Sequence, residues 1–347
     1  MTLLPAAFSL TMSLLVLASI WSWMFVLRKL IAREPLLAYE PRKAARWSLL
    51  EVVITFMMII SLQALVGVML LVLDSASPNV APVVAAGAEQ SPVTDSILLR
   101  WTIVLSGVAS LVACGLGGLI IVMRTGSRWG TDLGLTLRQA GRDISYGVVA
   151  YALLAPIIML IQATLHHWYP SEHPLIESFR SDPTLGFYLV CVFSAAIVAP
   201  ASEEFVCRVL LQGWLERVFA ATSCQRTPFL AQEQEMPRPE RSLDVDSNPY
   251  AMPPGMSEVE ADEKVSSNVQ PVEPARPFPS VFPIIISSSV FAVLHWGNGL
   301  DPIPLFVLAL GLGYLYQRTH RILPCVVLHF LVNAFALVML AMSLVVK

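Results

Sequence analysis

Residues 50–73 have the sequence LEVVITFMMIISLQALVGVMLLVL, in which the only charged side chain, Glu51, lies near the start. A helix of about 20 apolar residues can cross the hydrocarbon core of a bilayer. Seven further segments are comparably apolar. The eight candidate spans are residues 5–27, 50–73, 102–123, 145–165, 185–201, 280–296, 303–317 and 322–346. The sequence therefore predicts an all-α fold, a polytopic membrane helix bundle with about eight transmembrane helices.

The composition of the whole chain supports this prediction. Of the 347 residues, 56% are hydrophobic and 14% are charged, whereas a soluble domain has roughly 25% charged residues. Lipid must solvate this excess of apolar side chains. We therefore expect an integral multi-pass membrane protein, in the plasma membrane if the source is bacterial. The net charge of -3 and the scattered basic residues argue against nucleic-acid binding. Five cysteines without C-x-x-C spacing predict neither a disulfide framework nor a cysteine metal site.

The distribution of lysine and arginine predicts the orientation. Four segments hold 18 of the 22 basic residues: 28–47, 124–143, 217–279 and 318–321. The positive-inside rule makes these segments cytoplasmic and places both termini outside. No basic residue precedes the first apolar run, and Arg28 and Lys29 follow it. We therefore expect a retained span there rather than a signal peptide.

Two segments interrupt the apolar pattern. Residues 74–98 are rich in proline and small residues and predict an external loop. Residues 222–279 contain ten prolines, and ten acidic residues against five basic ones. Such a composition cannot bury enough apolar surface to fold, so we expect a disordered cytoplasmic insertion. It is either a plain linker or a docking and regulatory segment.

The first group of polar residues near a span is ASEEFVCR at 201–208. Charge at membrane depth is costly and is a functional candidate by default. Glu204 and Arg208 have the i, i+4 spacing of a helical ion pair, with the acid first. Glu203 points about 100° away around the helix and lacks that partner, so it is a candidate general base or acid. The alternative is that both acids mark the rim of a helix.

Two further groups contain histidine. His295 ends the predicted sixth span, and His329 and Asn333 share one face of the eighth at i, i+4 spacing. Two such donors can hold a substrate carbonyl as negative charge develops on it. The alternatives are a hydrogen-bonded core histidine at position 295 and helix–helix hydrogen bonds from the other two. Together with Glu203, these residues supply a base, a histidine to share a proton or bind metal, and oxyanion donors, the parts of water-driven peptide hydrolysis.

These motifs resemble those of the CPBP intramembrane metalloprotease family, which includes the type II CAAX prenyl endopeptidases and bacterial Abi-type proteins. The family pattern is E-E-x-x-x-R, then F-x-x-x-H, then H-x-x-x-N. This sequence has Glu203 to Arg208, Phe291 to His295 and His329 to Asn333, in that order. The resemblance implies a catalytic membrane core at 140–346, interrupted by the 222–279 insertion, and an N-terminal three-helix membrane region at 1–139. The long insertion departs from the short connection that is common in related proteins.

The resemblance also implies an activity: a hydrolase, an intramembrane endopeptidase that cleaves a membrane protein or a lipidated peptide, with CAAX-type prenylated proteins among the candidate substrates. Glu203 with His295 would activate the attacking water, and His329 with Asn333 would stabilise the oxyanion. Glu204 and Arg208 would fix the helix geometry, and Phe291 would be a supporting residue.

The resemblance leaves the metal open. Glu203, His295 and His329 are candidate ligands for a divalent ion such as zinc. The oxyanion role instead requires His329 to stay free, which favours a metal-free arrangement.

Two other functions compete with a protease. One is a non-catalytic membrane scaffold or bacteriocin-immunity-type protein with the same fold. The other is a proton-coupled transporter, which the lack of matched Gly/Pro-broken spans in the two halves disfavours. The predicted orientation raises one difficulty for the protease. It places Glu203 and His329 toward the cytoplasm and His295 deeper, so the sixth span should tilt or begin later.

Overall fold

The protein is helical throughout the residues that its structure, a computed structural model, describes: 3–40, 44–75, 92–168, 184–222, 280–296 and 300–345. These ranges contain eight helices, numbered α1 to α8. The helices are α1 Leu3–Ile31, α2 Leu49–Ser75, α3 Pro92–Thr125, α4 Ala140–Trp168, α5 185–222, α6 Phe282–Val293, α7 Pro302–Thr319 and α8 Leu323–Val345. The predicted all-α membrane bundle is confirmed, and each predicted span coincides with one helix.

Within the described ranges, six helices are long and apolar enough to cross a membrane. The other two are α6, with 12 residues, and α7, whose 18 residues include Pro302 and Pro304 at the start and Gln317 and Arg318 at the end. At 1.5 Å per residue α6 is about 18 Å long, shorter than the ~30 Å hydrocarbon core. The protein is a multi-pass membrane protein, but two of the eight predicted spans lack the length or composition of a span.

The outer faces of α1 and α2 explain why this chain needs lipid. Leu17 on α1 is 62% exposed and Leu71 on α2 is 72% exposed, whereas Ser22 and Thr55 are buried between helices. Small polar residues at helix contacts and apolar residues outside are the arrangement expected in a bilayer, where apolar side chains gain nothing from turning inward. The outward faces therefore contact lipid.

Helix α5 is longer than the sequence predicts. Its stretches follow one another without a break: Leu185–Cys191, Val192–Val198, Ala199–Glu204, Phe205–Gln212 and Gly213–Thr222. The second and fourth stretches are π-helical. The predicted span ended at 201 because charges follow, but Glu204 and Arg208 are fully buried and pair with each other. The first motif thus lies inside the helix, and the alternative of charges at a helix rim is wrong.

The segments rich in basic residues meet at one end of the bundle, which we call the polar end. The Glu40 N–H donates to the Arg318 carbonyl at 2.9 Å, and the Glu40 carboxylate pairs with Arg142 at 2.6 Å. Arg217 donates to the Trp47 carbonyl at 3.1 Å. These contacts join all four segments predicted to be cytoplasmic, so they share one side of the molecule. That this side faces the cytoplasm stays a prediction.

The two polar segments of the sequence are described only in part. Helix α3 begins at Pro92, so residues 92–98 are helical rather than part of an external loop. The remaining loop, 76–91, and the insertion after Thr222 lie outside the described residues. The boundary at 139/140 stays a prediction, although α2 and α3 pack directly against α5.

Candidate active site

Pro200 on α5 explains the contact that Asn333 makes. Proline has no N–H, so it leaves an earlier carbonyl without a donor. In a π-helix each N–H bonds to the carbonyl five residues earlier, so the carbonyl that Pro200 leaves without a donor is that of Ala195. Asn333 Nδ2 on α8 donates to the Ala195 oxygen at 2.8 Å. This is the helix–helix hydrogen bond that the sequence left as the alternative to an oxyanion role, and it uses one of the two amide N–H groups.

Glu204 holds two partners at the centre of the site. Its Oε2 accepts from Arg208 Nε at 3.1 Å, which is the predicted i, i+4 ion pair. Its Oε1 lies 2.9 Å from Nδ1 of His329 on α8. A carboxylate paired with a guanidinium is an acceptor, so Nδ1 carries the hydrogen. The hydrogen bond fixes the imidazole ring and leaves Nε2 as its free end.

Arg208 links the site to α6. Its Nη1 donates to Ser287 Oγ at 3.0 Å, and its guanidinium lies 5.5 Å from the centroid of the Phe291 ring. Both contacts lie in the protein interior, since Arg208 is completely buried. Phe291 therefore supports the site through a cation–π contact with Arg208, and it also packs edge-on against His329.

The hydrogen-bonded chain continues from Arg208 toward the polar end through Gln212. Ser287 Oγ lies 3.3 Å from Gln212 Oε1. Gln212 Nε2 in turn donates to the Gly313 carbonyl on α7 at 2.9 Å. Gln212 and Ser287 were not predicted as site residues. Ser287 is an acceptor for the buried guanidinium and Gln212 lies behind Ser287, while Arg208 Nη2 has no hydrogen-bond partner among the described residues.

The sequence did carry a signal for this chain. Glu204, Arg208, Gln212 and Glu216 recur at a spacing of four, the spacing that places residues on one helix face. Gln212 Nε2 lies 3.2 Å from Glu216 Oε1, and Glu216 Oε2 lies 3.3 Å from Nε2 of His320. The polar ladder on α5 thus runs without interruption from the site to the polar end.

Glu203 differs from its neighbour in facing a cavity of about 420 Å³. Its side chain is 33% exposed, and its Oε2 lies 3.8 Å from His329 Nε2. That distance is too long for a hydrogen bond. The cavity lies between α2, α3 and α5, and its polar lining residues are Gln63, Thr102, Ser106, Ser110, Ser194, Ser202 and Glu203. The N-terminal helices therefore form part of the wall opposite Glu203.

His295 lies just beyond the end of α6. The backbone N–H of His295 donates to Ala292, so the Phe291 carbonyl needs another donor, and His295 Nδ1 lies 2.8 Å from that oxygen. A carbonyl only accepts, so the hydrogen is on Nδ1, and Nε2 of a neutral His295 is a proton acceptor. His295 is within electrostatic reach of Glu203. Leu294, its neighbour, lines the cavity.

The candidate metal ligands do not assemble as a metal site in the described part of the chain. No three His, Cys, Asp or Glu side chains there are grouped so that they could hold one ion. His329 Nδ1 bonds to Glu204 and His295 Nδ1 to the Phe291 carbonyl, so in each ring Nε2 is the nitrogen that remains for another contact. Because no such group forms in the described residues, we derive no catalytic step through a metal.

The sequence predicted that Glu203 lies nearer the cytoplasm than His295, and the length of α5 bears on this prediction. Glu203 is 13 residues before Glu216, which pairs with His320 at the polar end. This corresponds to about 20 Å of helix. Glu203 thus lies deeper than predicted, because α5 continues past the motif. The three motifs meet: Glu203 and Glu204 on α5 contact His329 on α8, and Arg208 contacts Phe291 on α6. That the sixth span tilts stays a prediction, and its helix begins at Phe282, two residues later than the predicted span.

The family model described as Type II CAAX prenyl endopeptidase Rce1-like matches residues 269–335. The C-terminal part of the chain is Rce1-like. The Rce1-like region contains the second and third motifs, including His295, His329 and Asn333, while the first motif on α5 precedes it. The assignment to the CAAX protease family made from the motifs is confirmed for this region. No curated protein and no solved structure matches the chain.

Proposed function

We propose that the protein is an intramembrane endopeptidase that hydrolyses a peptide bond of a membrane-associated substrate. The observation that carries the proposal is the pairing of Glu203 with His329. The carboxylate faces a cavity, and Nε2 of an imidazole fixed by Glu204 lies 3.8 Å from it. Both groups can contact one water molecule through hydrogen bonds of about 2.8 Å. The Rce1-like region supports the same class of reaction.

The charges of the site suit an acyl-transfer reaction inside a membrane. With His329 protonated, the carboxylates of Glu203 and Glu204 balance Arg208 and the imidazolium, so the four side chains carry no net charge. Neutrality as a group lowers the cost of burying them. In this state Nε2–H of His329, 3.8 Å from Glu203 Oε2, is a donor available to an oxyanion.

The reaction then follows from these positions. Glu203 takes a proton from water as the water oxygen attacks the substrate carbonyl, and the carbonyl oxygen becomes the oxyanion. His329 donates to that oxygen, and the second N–H of Asn333 is the other predicted donor. The proton held by Glu203 passes to the leaving nitrogen as the C–N bond breaks. The Nε2 atom of His295 orients the water by accepting its second hydrogen.

The substrate class follows from the family description and from the cavity. The Rce1-like match suggests a CAAX-type, prenylated protein, and an enzyme whose base lies within the bilayer needs a substrate that partitions into lipid. The serine and threonine hydroxyls in the cavity wall supply hydrogen bonds to an extended peptide backbone. We propose a membrane protein or lipidated peptide as the substrate.

Comparative membrane proteomics tests the proposal. A strain that lacks the gene is complemented with the wild-type protein or with Glu203→Gln, and membrane proteins are quantified by peptide mapping. We expect one or more uncleaved substrates to accumulate equally in the deletion and Glu203→Gln strains. Full complementation by both Glu203→Gln and His329→Ala, at wild-type protein levels, would instead support the non-catalytic scaffold.

Metal dependence is a separate proposal. We propose that the reaction proceeds without a metal, because His329 Nε2, the ring nitrogen that Glu204 leaves free, is needed as a donor to the oxyanion. Metal analysis of active purified protein and peptide cleavage after chelation test this. Stoichiometric zinc together with chelator-sensitive cleavage would refute it.

A further inference from the structure

A second cavity lies at the polar end, away from Glu203. It has a volume of about 910 Å³ and is lined by the loop that joins α3 to α4, by residues 319–321 at the end of α7, and by Glu40 and Arg46. The loop is held close to the α7 corner, since the Ile322 N–H donates to the Gly134 carbonyl at 3.2 Å. A side chain at Gly134 would collide with the His320 carbonyl. The cavity wall is therefore a fixed part of the fold.

The lining is rich in guanidinium groups. Four arginines face two carboxylates: Arg46, Arg128, Arg138 and Arg321 against Glu40 and Asp132. Arg321 and Glu40 pair with each other, and Asp132 accepts hydrogen bonds within its own loop. Arg46, Arg128 and Arg138 form no ion pair with a carboxylate in the described residues. Three guanidinium groups against the carboxylate of Asp132 leave the lining with a positive excess, which suits a phosphate.

The apolar neighbours of these arginines indicate where the phosphate comes from. Leu137 is 76% exposed and Leu135 is 39% exposed, and both lie in the same loop as Arg138. Exposed apolar side chains next to basic ones at the end of a membrane bundle suit a lipid surface, where the apolar groups enter the acyl boundary and the basic groups meet headgroups. A free phosphate ion would use the arginines but not the leucines.

We propose that the polar-end cavity binds the phosphate of an anionic phospholipid headgroup, with Arg128 and Arg138 as its principal contacts and with Arg46, which donates to the Thr125 carbonyl at the start of the loop, beside them. The site is independent of the proteolytic reaction, since none of these residues touches Glu203 or His329. It is also distinct from general attraction to a charged membrane, because the arginines share one cavity.

Ligand-dependent thermal unfolding of the full-length protein in a neutral detergent tests the proposal. The protein is titrated at constant ionic strength with short-chain phosphatidylglycerol, short-chain phosphatidylcholine or inorganic phosphate. We expect a saturable rise in Tm with phosphatidylglycerol alone. The Arg128→Gln/Arg138→Gln variant should bind about 30-fold more weakly, since each basic residue near an anionic lipid contributes about fivefold.

Arg28→Gln/Arg33→Gln is the matched control, because it removes two exposed arginines from the same predicted side but outside the cavity. It should retain wild-type affinity for phosphatidylglycerol. Equal weakening in the control, or no saturable shift in the wild type, overturns the site. An equal shift with inorganic phosphate alone identifies free phosphate as the ligand and overturns the lipid assignment. Both variants should keep the Tm of the wild type without lipid, because the substituted side chains are exposed.

Discussion

The neighbouring residues Glu203 and Glu204 allow one chemical change to be compared in two environments. Glu204 is fully buried and pairs with Arg208 at 3.1 Å and with His329 at 2.9 Å. Glu204→Gln keeps the volume but leaves the buried guanidinium without its counter-charge, which costs about 3–5 kcal/mol. Glu203 is 33% exposed, and its contact with His329 is 3.8 Å long. We expect Glu203→Gln to change the unfolding free energy by less than about 1 kcal/mol.

Equilibrium unfolding in mixed micelles and peptide cleavage measure the two effects separately. Glu203→Gln should lower turnover by about 10²–10⁴-fold, the contribution of a general base, with an unfolding curve near that of the wild type. Glu204→Gln should shift the unfolding curve strongly. The double variant Glu204→Gln/Arg208→Met should recover part of that loss, because it leaves no unpaired charge. Equal destabilisation by the two glutamine substitutions would refute the assignment of Glu203 to catalysis and of Glu204 to stability.

Two further predictions concern packing around the site. Ser287→Ala should lower the unfolding free energy by about 1.5–3 kcal/mol, because it removes a buried acceptor of Arg208, whereas Ser289→Ala should have little effect, since that exposed hydroxyl bonds only to its own helix. Gly147→Ala should cost about 1–3 kcal/mol in the same assay, because the new Cβ would lie 2.7 Å from a valine side chain of α8, whereas Gly141→Ala meets no heavy atom within 4 Å. Equal effects within either pair of variants would contradict the packing described.

The sequence predicts the helices of this protein well because a bilayer restricts the structure that an apolar segment can adopt. An apolar run such as 50–73 satisfies its backbone only as a helix, so its composition is sufficient. The basic segments likewise predict which ends lie together, as the contact between Glu40 and Arg142 shows. The ends of α5 are less predictable. A hydropathy window cannot distinguish charges that leave the bilayer from Glu204 and Arg208, which neutralise each other within it.

The site is predictable only in its chemistry. Residue types and spacing indicated a base, a histidine and amide donors, but they could not indicate which imidazole nitrogen is free. That depends on the contact between Glu204 and His329, which are 125 positions apart. Ser287 was missed for a related reason. Serine is common in membrane helices, and only its distance to Arg208 distinguishes it from Ser289.

The ionisable side chains of the site depend on partners from different motifs. Glu204 on α5 needs Arg208 to balance its charge, and it needs His329 on α8 to satisfy its second oxygen. Arg208 needs Ser287 on α6. Without α8 the Oε1 atom of Glu204 would lose its donor, and without α6 the Nη1 atom of Arg208 would lose its acceptor, each in an apolar medium. The contacts of Glu204 and Arg208 therefore tie α5, α6 and α8 together, whereas Glu203 lies 3.8 Å from His329 and faces the cavity.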